Sequence, residues 1–242
     1  MKNSPSKLAF VATLGLALAF TFSCSGGDDN NEGNSGAGGG TAAGGAGGSC
    51  DISDYRTKKI GDQVWMAENL NCDVGVSRCY GEGGIVLDIS SGGIIRITLS
   101  NSEIKANCVK YGRLYDYETA KTACPSGWHL PSYDEWTTLL DFVGGEDIAG
   151  AKLKATSGWS FNVNGKTKYR NGTDNYGFSA LPGGIGDSGG AFSVAGASGN
   201  WWSSTINGSD ICYLLIDDSA KMLCNTSLNS NDVFFSVRCV QN

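Results

Sequence analysis

The stretch Cys124-Pro-Ser-Gly-Trp-His-Leu-Pro-Ser-Tyr-Asp-Glu-Trp136 closes one short predicted helix and opens a second. Ser132 and Glu135 have the spacing of a capping box, in which a side-chain oxygen and a carboxylate satisfy the free N–H groups at a helix start. From Trp136 onward, apolar residues recur at positions 136, 139, 140 and 143, which is the period of one helix face. Gly144-Gly145 follows, where a helix C-terminus favours glycine. The sequence therefore predicts a helix between Ser132 and Gly144.

The first 24 residues have the pattern of an export signal. Lys2 and Lys7 form a basic start, and the apolar run at residues 8–22 has 15 residues, fewer than the about 20 that a membrane span needs. The residues before Cys24 resemble a bacterial lipobox, although Phe22 is bulkier than the small residue usual there. We therefore predict a signal peptide at residues 1–23 and a lipidated Cys24 that anchors the exported protein in the outer membrane, on the cell surface. The alternative is an ordinary signal peptide that leaves a free thiol at Cys24.

Residues 24–49 predict a tether, and residues 50–242 predict a folded domain. Beyond Cys24 the tether is mainly Gly, Ala, Ser and Asn without a large apolar side chain, so it cannot form a core and is expected to be disordered. Once Lys2 and Lys7 are removed, 16 basic residues stand against 24 acidic ones, a net charge of −8. Because an acidic surface gains nothing from nucleic acid or anionic lipid, neither is expected as a partner.

The folded domain contains eight cysteines, which in an exported chain are expected to form disulfides. Zinc binding is the competing interpretation. It is disfavoured because the chain has no Cys-x-x-Cys pair and a single histidine. We expect no metal and no other cofactor.

The order of the predicted elements favours an α+β fold. Residues 59–70 predict a hairpin about a Gly-Asp turn, and a second hairpin is predicted within an insertion at about 81–107. Two or three short helices are predicted next: one that Cys124 closes, one after Ser132 and one near residues 147–155. From residue 157 the helical period disappears, and irregular antiparallel strands are predicted at 177–181, 201–205, 212–216, 221–224 and 233–240.

Six motifs resemble those of a known family and follow its order. They are Lys59-Ile-Gly-Asp-Gln-Val-Trp-Met-Ala-Glu-Asn-Leu70, Tyr111-Gly-Arg-Leu-Tyr115, Cys124-Pro-Ser-Gly-Trp-His-Leu-Pro-Ser132, Tyr176-Gly-Phe-Ser-Ala-Leu-Pro-Gly-Gly184, Trp201-Trp-Ser-Ser-Thr205 and Phe235-Ser-Val-Arg-Cys-Val240. Over residues 52–241 the chain resembles the Fibrobacter succinogenes major paralogous domain, a family of exported, often lipid-anchored proteins with no established activity. It departs from the family pattern in the length of segment 81–107 and in having Cys212 and Cys224.

The Gly-Trp-His-Leu-Pro motif with its helix, and the closing Ser-Val-Arg-Cys, also resemble the C-type-lectin-like fold, whose core the formylglycine-generating enzymes share. That resemblance implies a Cys124–Cys239 disulfide, because the last strand of such a fold returns to its first helix. Cysteine order by itself leaves the connectivity open. For the other six cysteines we favour Cys79–Cys108, Cys212–Cys224 across a hairpin and, as the remainder, Cys50–Cys72.

Two glycine-rich motifs spell functional signatures without the context that these need. Gly186-Asp-Ser-Gly-Gly190 has a serine-hydrolase pattern, but His129 lies 59 residues before Ser188, closer than in trypsin-like proteases. An α/β-hydrolase would need its histidine after the serine. Gly184-Ile-Gly-Asp-Ser-Gly189 fits a dinucleotide pattern, but no βαβ unit surrounds it. We therefore expect no catalytic residues, and His129 is expected to be a structural imidazole bonded to the backbone.

Aromatic side chains are the candidates for ligand contact. Trp201 and Trp202 are neighbours in a predicted strand, so one ring would face inward and the other outward, where it could stack on a sugar. The other interpretation is that both rings pack inside the protein. Tyr176 and Asp174 are further candidates, and the motifs of calcium-dependent lectins are absent.

These observations predict a non-catalytic, disulfide-bonded surface lipoprotein that serves recognition or adhesion, with a glycan or polysaccharide as its ligand. The alternative is a structural component of the envelope or surface that binds proteins. A formylglycine-generating enzyme is the third interpretation. It is disfavoured because that chemistry needs a reactive cysteine pair near the end of the core, where Cys239 stands alone.

Overall fold

The computed structural model describes residues 50–88, 94–163, 166–217, 219–225 and 232–242. The predicted signal peptide, the lipidation site Cys24, the tether and the tip of the hairpin predicted in the insertion lie outside these residues. No helix in the described ranges is long and apolar enough to cross a bilayer.

Four short α-helices occur in the described part of the chain, after a single 3-10 turn at Ile52–Asp54. They are α1 (Asn101–Tyr111), α2 (Tyr117–Ala120), α3 (Tyr133–Val143) and α4 (Glu146–Leu153). Ser100, Asp116 and Ser132 cap the first three helices, since each side chain accepts a hydrogen bond from the third N–H of its helix. Local polar residues therefore specify where these helices begin.

Helix α3 has the predicted limits and the predicted buried face. Both bonds of the Ser132–Glu135 capping box are formed, and Trp136, Leu139, Leu140 and Val143 are buried. Gly144 adopts a left-handed conformation with φ of 113°, and its N–H bonds to the carbonyl groups of Asp141 and Leu140. A residue with a Cβ would be strained in this conformation, so glycine ends the helix here.

The described strands number sixteen and are short, apart from three at the C-terminal end of the chain. They are β1 (Thr57–Ile60), β2 (Gln63–Met66), β3 (Ser77–Arg78), β4 (Ile85–Asp88), β5 (Ile95–Ile97), β6 (Leu114–Tyr115), β7 (Trp128–His129), β8 (Ser160–Val163), β9 (Lys166–Tyr169), β10 (Ile185–Asp187), β11 (Ala191–Ser193), β12 (Gly199–Asn207), β13 (Asp210–Ile216), β14 (Ala220–Asn225), β15 (Val233–Ser236) and β16 (Val240–Gln241). The domain is therefore mostly sheet with a few short helices.

The strands form three sheets. The first has the order β1-β2-β16-β7, so the C-terminal strand lies between the first hairpin and the strand that precedes α3. The second has the order β14-β13-β12-β15-β10-β11-β4-β5, with β6 and β3 added beside β15. The third is the two-stranded hairpin of β8 and β9. Strands β14 and β5 are therefore at the two ends of this strand order, and β5 is an edge of the large sheet.

Strand β12 lies between two hydrophobic clusters. Trp201 belongs to the cluster that includes Trp65, Trp136 and the inner face of α3. Trp202 belongs to the cluster that includes Tyr117 and Phe235. Both tryptophans are 0% exposed. Their side chains point to opposite sides of the strand, as predicted, but both sides are covered.

All four disulfides have the predicted partners. Cys124 pairs with Cys239 over a separation of 115 residues. The other bridges join Cys50 to Cys72, Cys79 to Cys108, and Cys212 to Cys224. Cys212 and Cys224 stand directly opposite each other in β13 and β14, as expected of a bridge across a hairpin.

Several predicted elements differ from those observed. The segment at 177–181 forms one isolated bridge between Ala180 and Lys154 and no strand, because Ser179 takes a left-handed conformation with φ of 53°. The predicted 233–240 strand is divided into β15 and β16, which pair in different sheets. Helix α1 was not predicted, and its N-terminal half lies within the insertion predicted at 81–107. Strands β8 to β11 lie between residues 157 and 200, where the strand at 177–181 was the one element predicted.

Candidate functional site

His129 bonds to an acid and an amide side chain. Its Nε2 is 2.7 Å from Glu135 Oε1, and its Nδ1 is 2.7 Å from Asn242 Oδ1. The prediction of a structural imidazole bonded to the backbone was therefore wrong about the partners, which are side chains. These bonds connect β7 to the start of α3 and to the C-terminus of the chain.

The Ser188 motif is the turn between β10 and β11. Ser188 is exposed, and its hydroxyl donates to Asp232 Oδ1 at 3.0 Å. The Asp187 carboxylate accepts from the backbone N–H of Ala191 at 2.7 Å, which closes the turn. A strand follows the motif where a dinucleotide site would need a helix. Ser188 and His129 therefore have different partners, and the Ser–His pair of a serine hydrolase is not formed.

The predicted ligand contacts Trp201 and Trp202 are structural. Trp201 Nε1–H donates to Asn69 Oδ1 at 2.9 Å, and Trp202 Nε1–H donates to the Tyr115 carbonyl at 2.7 Å. With both rings buried and both donors used, neither can stack on a ligand in this conformation. Of the two interpretations, packing of both rings inside the protein is confirmed, because a second layer of side chains covers each face of β12.

Asn69 also serves a fully buried guanidinium. Arg238 donates from Nη2 to Asn69 Oδ1 at 2.7 Å and from Nη1 to the Phe178 carbonyl, and its guanidinium lies 4.3 Å from the centre of the Phe178 ring. Burial lowers the pKa of Arg238 to about 9, so it remains a cation at neutral pH. Its Nε is among the buried polar atoms without a partner. This cation holds the C-terminal strand, Asn69 and segment 178–179 together from within the core.

Asp174 and Tyr176 are half-buried and occupied by neighbours. The Asp174 carboxylate accepts from the Ser179 backbone N–H at 2.7 Å and from its hydroxyl at 2.6 Å. Tyr176 makes an edge contact with Phe142, with ring centres 5.9 Å apart. The carboxylate therefore stabilises the turn at 174–179, and Tyr176 packs against the hydrophobic cluster that contains Trp201.

A groove between two hairpins is the candidate ligand site, and we call it the hairpin groove. One hairpin is β4–β5 and the other is β8–β9; the groove has a volume of about 590 Å³. It is lined by residues of both hairpins and of segment 194–197, together with Tyr80: Val86, Leu87, Asp88, Ile97, Ser160, Phe161, Thr167, Arg170, Val194, Ala195 and Ala197. Binding pockets of this size, mainly apolar and aromatic with a few polar groups, are typical of small-molecule sites.

Two anchors hold the hairpins that form the groove. At the base of β8, Trp159 is buried; its indole N–H donates to the Ala180 carbonyl at 2.8 Å, and its carbonyl accepts from the Arg170 N–H at 3.0 Å. The other hairpin is held by parallel pairing of β4 with β11. At its start, the Ile85 N–H donates to the Gly190 carbonyl at 2.9 Å. The groove is thus formed by elements that are far apart in sequence.

Aromatic and cationic groups determine what the hairpin groove can contact. The Arg170 guanidinium lies 3.8 Å from the centre of the half-buried Phe161 ring. Tyr80 packs edge-on against Phe192 with ring centres 5.5 Å apart. Burial raises the pKa of the Tyr80 hydroxyl to about 12, against the opposing hydrogen bond from the Ala195 backbone, so the hydroxyl stays neutral at physiological pH. The groove therefore offers a ring, a guanidinium and a hydroxyl beside aliphatic side chains.

Other clefts are of similar volume and differ in the groups that line them. A cleft of about 640 Å³ beside Cys50 is lined by small and acidic residues without an aromatic ring. A cleft of about 600 Å³ contains Tyr55 and the exposed Arg56–Glu68 ion pair, 2.6 Å apart. The described residues contain no group of three or more His, Cys, Asp or Glu side chains placed to hold a metal ion.

The residues of the hairpin groove were missed by the sequence analysis. Phe161, Thr167 and Arg170 line the groove and lie between residues 157 and 177, where no helix or strand was predicted. The signal that could have found them is charge: residues 154–172 contain four cations, at positions 154, 166, 168 and 170, and no acid. In an acidic chain such a segment is unusual.

Comparison with known protein families finds a matching model, described as the Fibrobacter succinogenes major domain, over residues 59–241. No curated protein and no solved structure matches the chain.

Proposed function

This chain belongs to the Fibrobacter succinogenes major domain family, and we propose that it is a non-catalytic recognition protein that binds polysaccharide in the hairpin groove. The observation that carries this proposal is the composition of the groove: a ring with a guanidinium over it, aliphatic walls and a few polar groups, in about 590 Å³. Sugar rings present an apolar face and a rim of hydroxyl groups, which match these two kinds of lining. That volume accommodates a few sugar units of a longer chain.

Retention on insoluble polysaccharides and on a glycan array, with the purified full-length chain, tests this proposal. Phe161→Ala removes an aromatic ring that lines the groove. The control variant, Phe142→Ala, removes a ring on α3 that is 54% exposed and lies outside the groove. Aromatic contacts contribute about 0.5–1.5 kcal/mol each, so Phe161→Ala is expected to weaken retention about two- to thirteenfold. Phe142→Ala should leave retention unchanged. Retention on no polysaccharide, or equal loss in both variants, would contradict the proposal.

The alternative function, a structural surface component with protein partners, is supported by a different observation. Strand β5 is a sheet edge that exposes Ile94, Ile95 and Ile97 by 57%, 49% and 38%. Edge strands with exposed apolar side chains can pair with strands of other molecules. Analytical ultracentrifugation separates the two functions: self-association that Ile95→Lys abolishes, in a protein that retains no polysaccharide, would favour the structural role.

We also propose that the protein is exported and held on the cell surface by a lipid on Cys24. The basic start, the apolar run at residues 8–22 and the Gly-rich segment that follows Cys24 support this location. Mass spectrometry of the N-terminus tests it. An unmodified Cys24, or a protein found in the cytoplasm, would contradict the proposal.

The fold is proposed to be C-type-lectin-like. Support comes from the Cys124–Cys239 bridge, which joins the segment before α3 to the end of the chain. The pairing of β16 with β2 and β7 adds to it, because it places the last strand between the first hairpin and the strand before α3. An experimental structure superposed on C-type-lectin-like domains tests this assignment; a different order of the strands around α3 would contradict it.

A further inference from the structure

The β8–β9 hairpin carries positive charge on an acidic protein. The chain has a net charge of −6, yet Lys166, Lys168 and Arg170 follow one another at every second position, and no acid occurs between residues 154 and 172. Charge is therefore distributed unevenly, and the hairpin differs in sign from the rest of the molecule.

Strand geometry places these three cations on one side of the hairpin. Successive side chains of a strand point to opposite faces, so positions 166, 168 and 170 share a face. Lys168 is the cross-strand partner of Phe161, and Arg170 stacks on the same ring at 3.8 Å. The strip formed by Lys166, Lys168 and Arg170 therefore runs beside the Phe161 ring, and we call it the basic strip.

The basic strip is open to solvent and leads into the hairpin groove. All three of its residues are exposed, and Arg170 itself lines the groove. In the described part of the chain, the ion pairs that are present involve neither Lys166 nor Lys168. Tyr169, on the opposite face of β9, is 76% exposed. The carboxylate that lines the groove is Asp88, which comes from β4 and thus from the other hairpin.

We infer that the polysaccharide bound in the hairpin groove is anionic, with carboxylate, sulfate or phosphate groups that pair with the basic strip. This inference rests on the proposed function and names its ligand class. An acidic protein repels a polyanion over most of its surface, so attraction confined to one hairpin fixes where and in which orientation such a chain binds. The Asp88 carboxylate disfavours negative charge on its side of the groove. The neutral face of the sugars is therefore expected beside Asp88, with the anionic groups toward β9.

The shape of the site favours a polysaccharide over two other polyanions. A lipid surface is broad and flat, and it cannot enter a groove between two hairpins to reach Phe161. A nucleic acid duplex has a far denser charge than a three-cation strip can neutralise on a chain of net charge −6. Binding of either is an outcome that the test below detects.

Polygalacturonate and its fully methyl-esterified form test the inference, since they share one backbone and differ in carboxylate charge. Exposed charge pairs contribute little individually, so Lys166→Gln and Lys168→Gln should each weaken polygalacturonate binding roughly two- to fivefold. The double variant is expected to lose roughly tenfold. Lys59→Gln with Lys105→Gln removes the same charge from exposed positions outside the hairpin and should change binding less than twofold. Raising NaCl from 50 to 500 mM should weaken binding of the unsubstituted protein and narrow the difference between the two polysaccharides.

Each outcome decides the inference. Preference for polygalacturonate that disappears in the Lys166→Gln, Lys168→Gln protein supports it. Equal binding of the methyl ester, or equal losses in the two double variants, overturns the anionic ligand while leaving polysaccharide recognition standing. Retention of neither form overturns the proposed function and this inference together. Tighter binding of duplex DNA or of vesicles with anionic lipid, lost in the same double variant, assigns the strip to another partner and overturns the inference.

Discussion

Removal of the Cys124–Cys239 bridge is expected to be the largest disulfide perturbation in this protein. Cross-linking restricts the unfolded chain, and the restriction grows with the number of residues in the closed loop. The Cys124–Cys239 bridge spans 115 residues, whereas Cys212–Cys224 spans 12. The chain-entropy relation gives about 4.8 kcal/mol for the longer loop and about 2.8 kcal/mol for the shorter one at 25 °C.

The comparison between the two bridges is matched in burial. Each bridge has one cysteine that is 0% exposed, Cys239 and Cys212, and one half-buried cysteine, Cys124 and Cys224. Replacement of both members by alanine therefore removes similar packing in the two cases, and the difference of about 2 kcal/mol reports the loop length. The shorter loop lies inside the longer one, which changes the figure for the longer loop by only about 0.1 kcal/mol.

Urea unfolding followed by circular dichroism, without reductant, measures both variants against the unsubstituted protein. Since small domains are stable by about 5–15 kcal/mol, the Cys124→Ala, Cys239→Ala protein is expected to be close to unfolded at 37 °C, and the Cys212→Ala, Cys224→Ala protein to remain folded. Free energies should be extrapolated for each variant separately, because removing a cross-link exposes more surface on unfolding and increases the m-value. An equal loss in the two variants, or a larger loss for Cys212 and Cys224, would refute the reasoning.

Three further predictions follow from the polar contacts and close packing. Burial of Glu135 raises its pKa, but the hydrogen bonds from Ser132 and His129 outweigh this effect and lower the pKa below its ordinary value. The stabilisation from these hydrogen bonds is therefore present above the ordinary pKa near 4.5 and is lost as pH falls through the lowered pKa. Glu135→Gln should therefore cost about 0.3–1 kcal/mol at pH 7, from the helix dipole, and flatten the acid limb of a stability–pH curve; an unchanged acid limb would contradict this. Arg238→Met leaves the buried Phe178 carbonyl without its donor and should lower the unfolding free energy by about 1–3 kcal/mol in urea, whereas unchanged or increased stability would mean that relief of the buried charge dominates. Gly84→Ala would place a methyl group against the Gly190 carbonyl, so we expect a loss of about 1–3 kcal/mol and earlier hydrogen exchange in β4; an unaltered exchange pattern would be evidence against that contact.

Local signals account for the parts of the fold that were predicted. Helix α3 was read from its cap, its apolar period and its terminal glycines, all of which lie within fourteen consecutive residues of the chain. The β1–β2 hairpin was read from a turn between two apolar runs. Helix α1 has a similar local signal, since Ser100 and Glu103 form a capping box, but the apolar strand run that precedes it led to a hairpin assignment for the whole segment.

The candidate site could not be predicted in the same way. Strands β8 to β11 have three or four residues each, which is too short for a period of two to be recognised. Strands β10 and β11 also pair with β15 and β4, which are distant in sequence. Strand β4, for example, pairs in parallel with β11, about a hundred residues later. The lining of the hairpin groove depends on these long-range pairings, and it includes none of the four residues first considered for ligand contact.

The amino-acid sequence by itself was sufficient to predict the four disulfides, the capped helix α3 and membership of the family. Each of these depends on residue type and spacing over a short stretch, or on a pattern of motifs in order. Only the tertiary structure decided that Trp201 and Trp202 are both buried, because a strand's two faces are equivalent until the layers that cover them are known. It also decided that Phe161 and the basic strip stand beside the β4–β5 hairpin. A groove is formed by segments that are distant in sequence, and spacing along the chain does not specify which segments lie together.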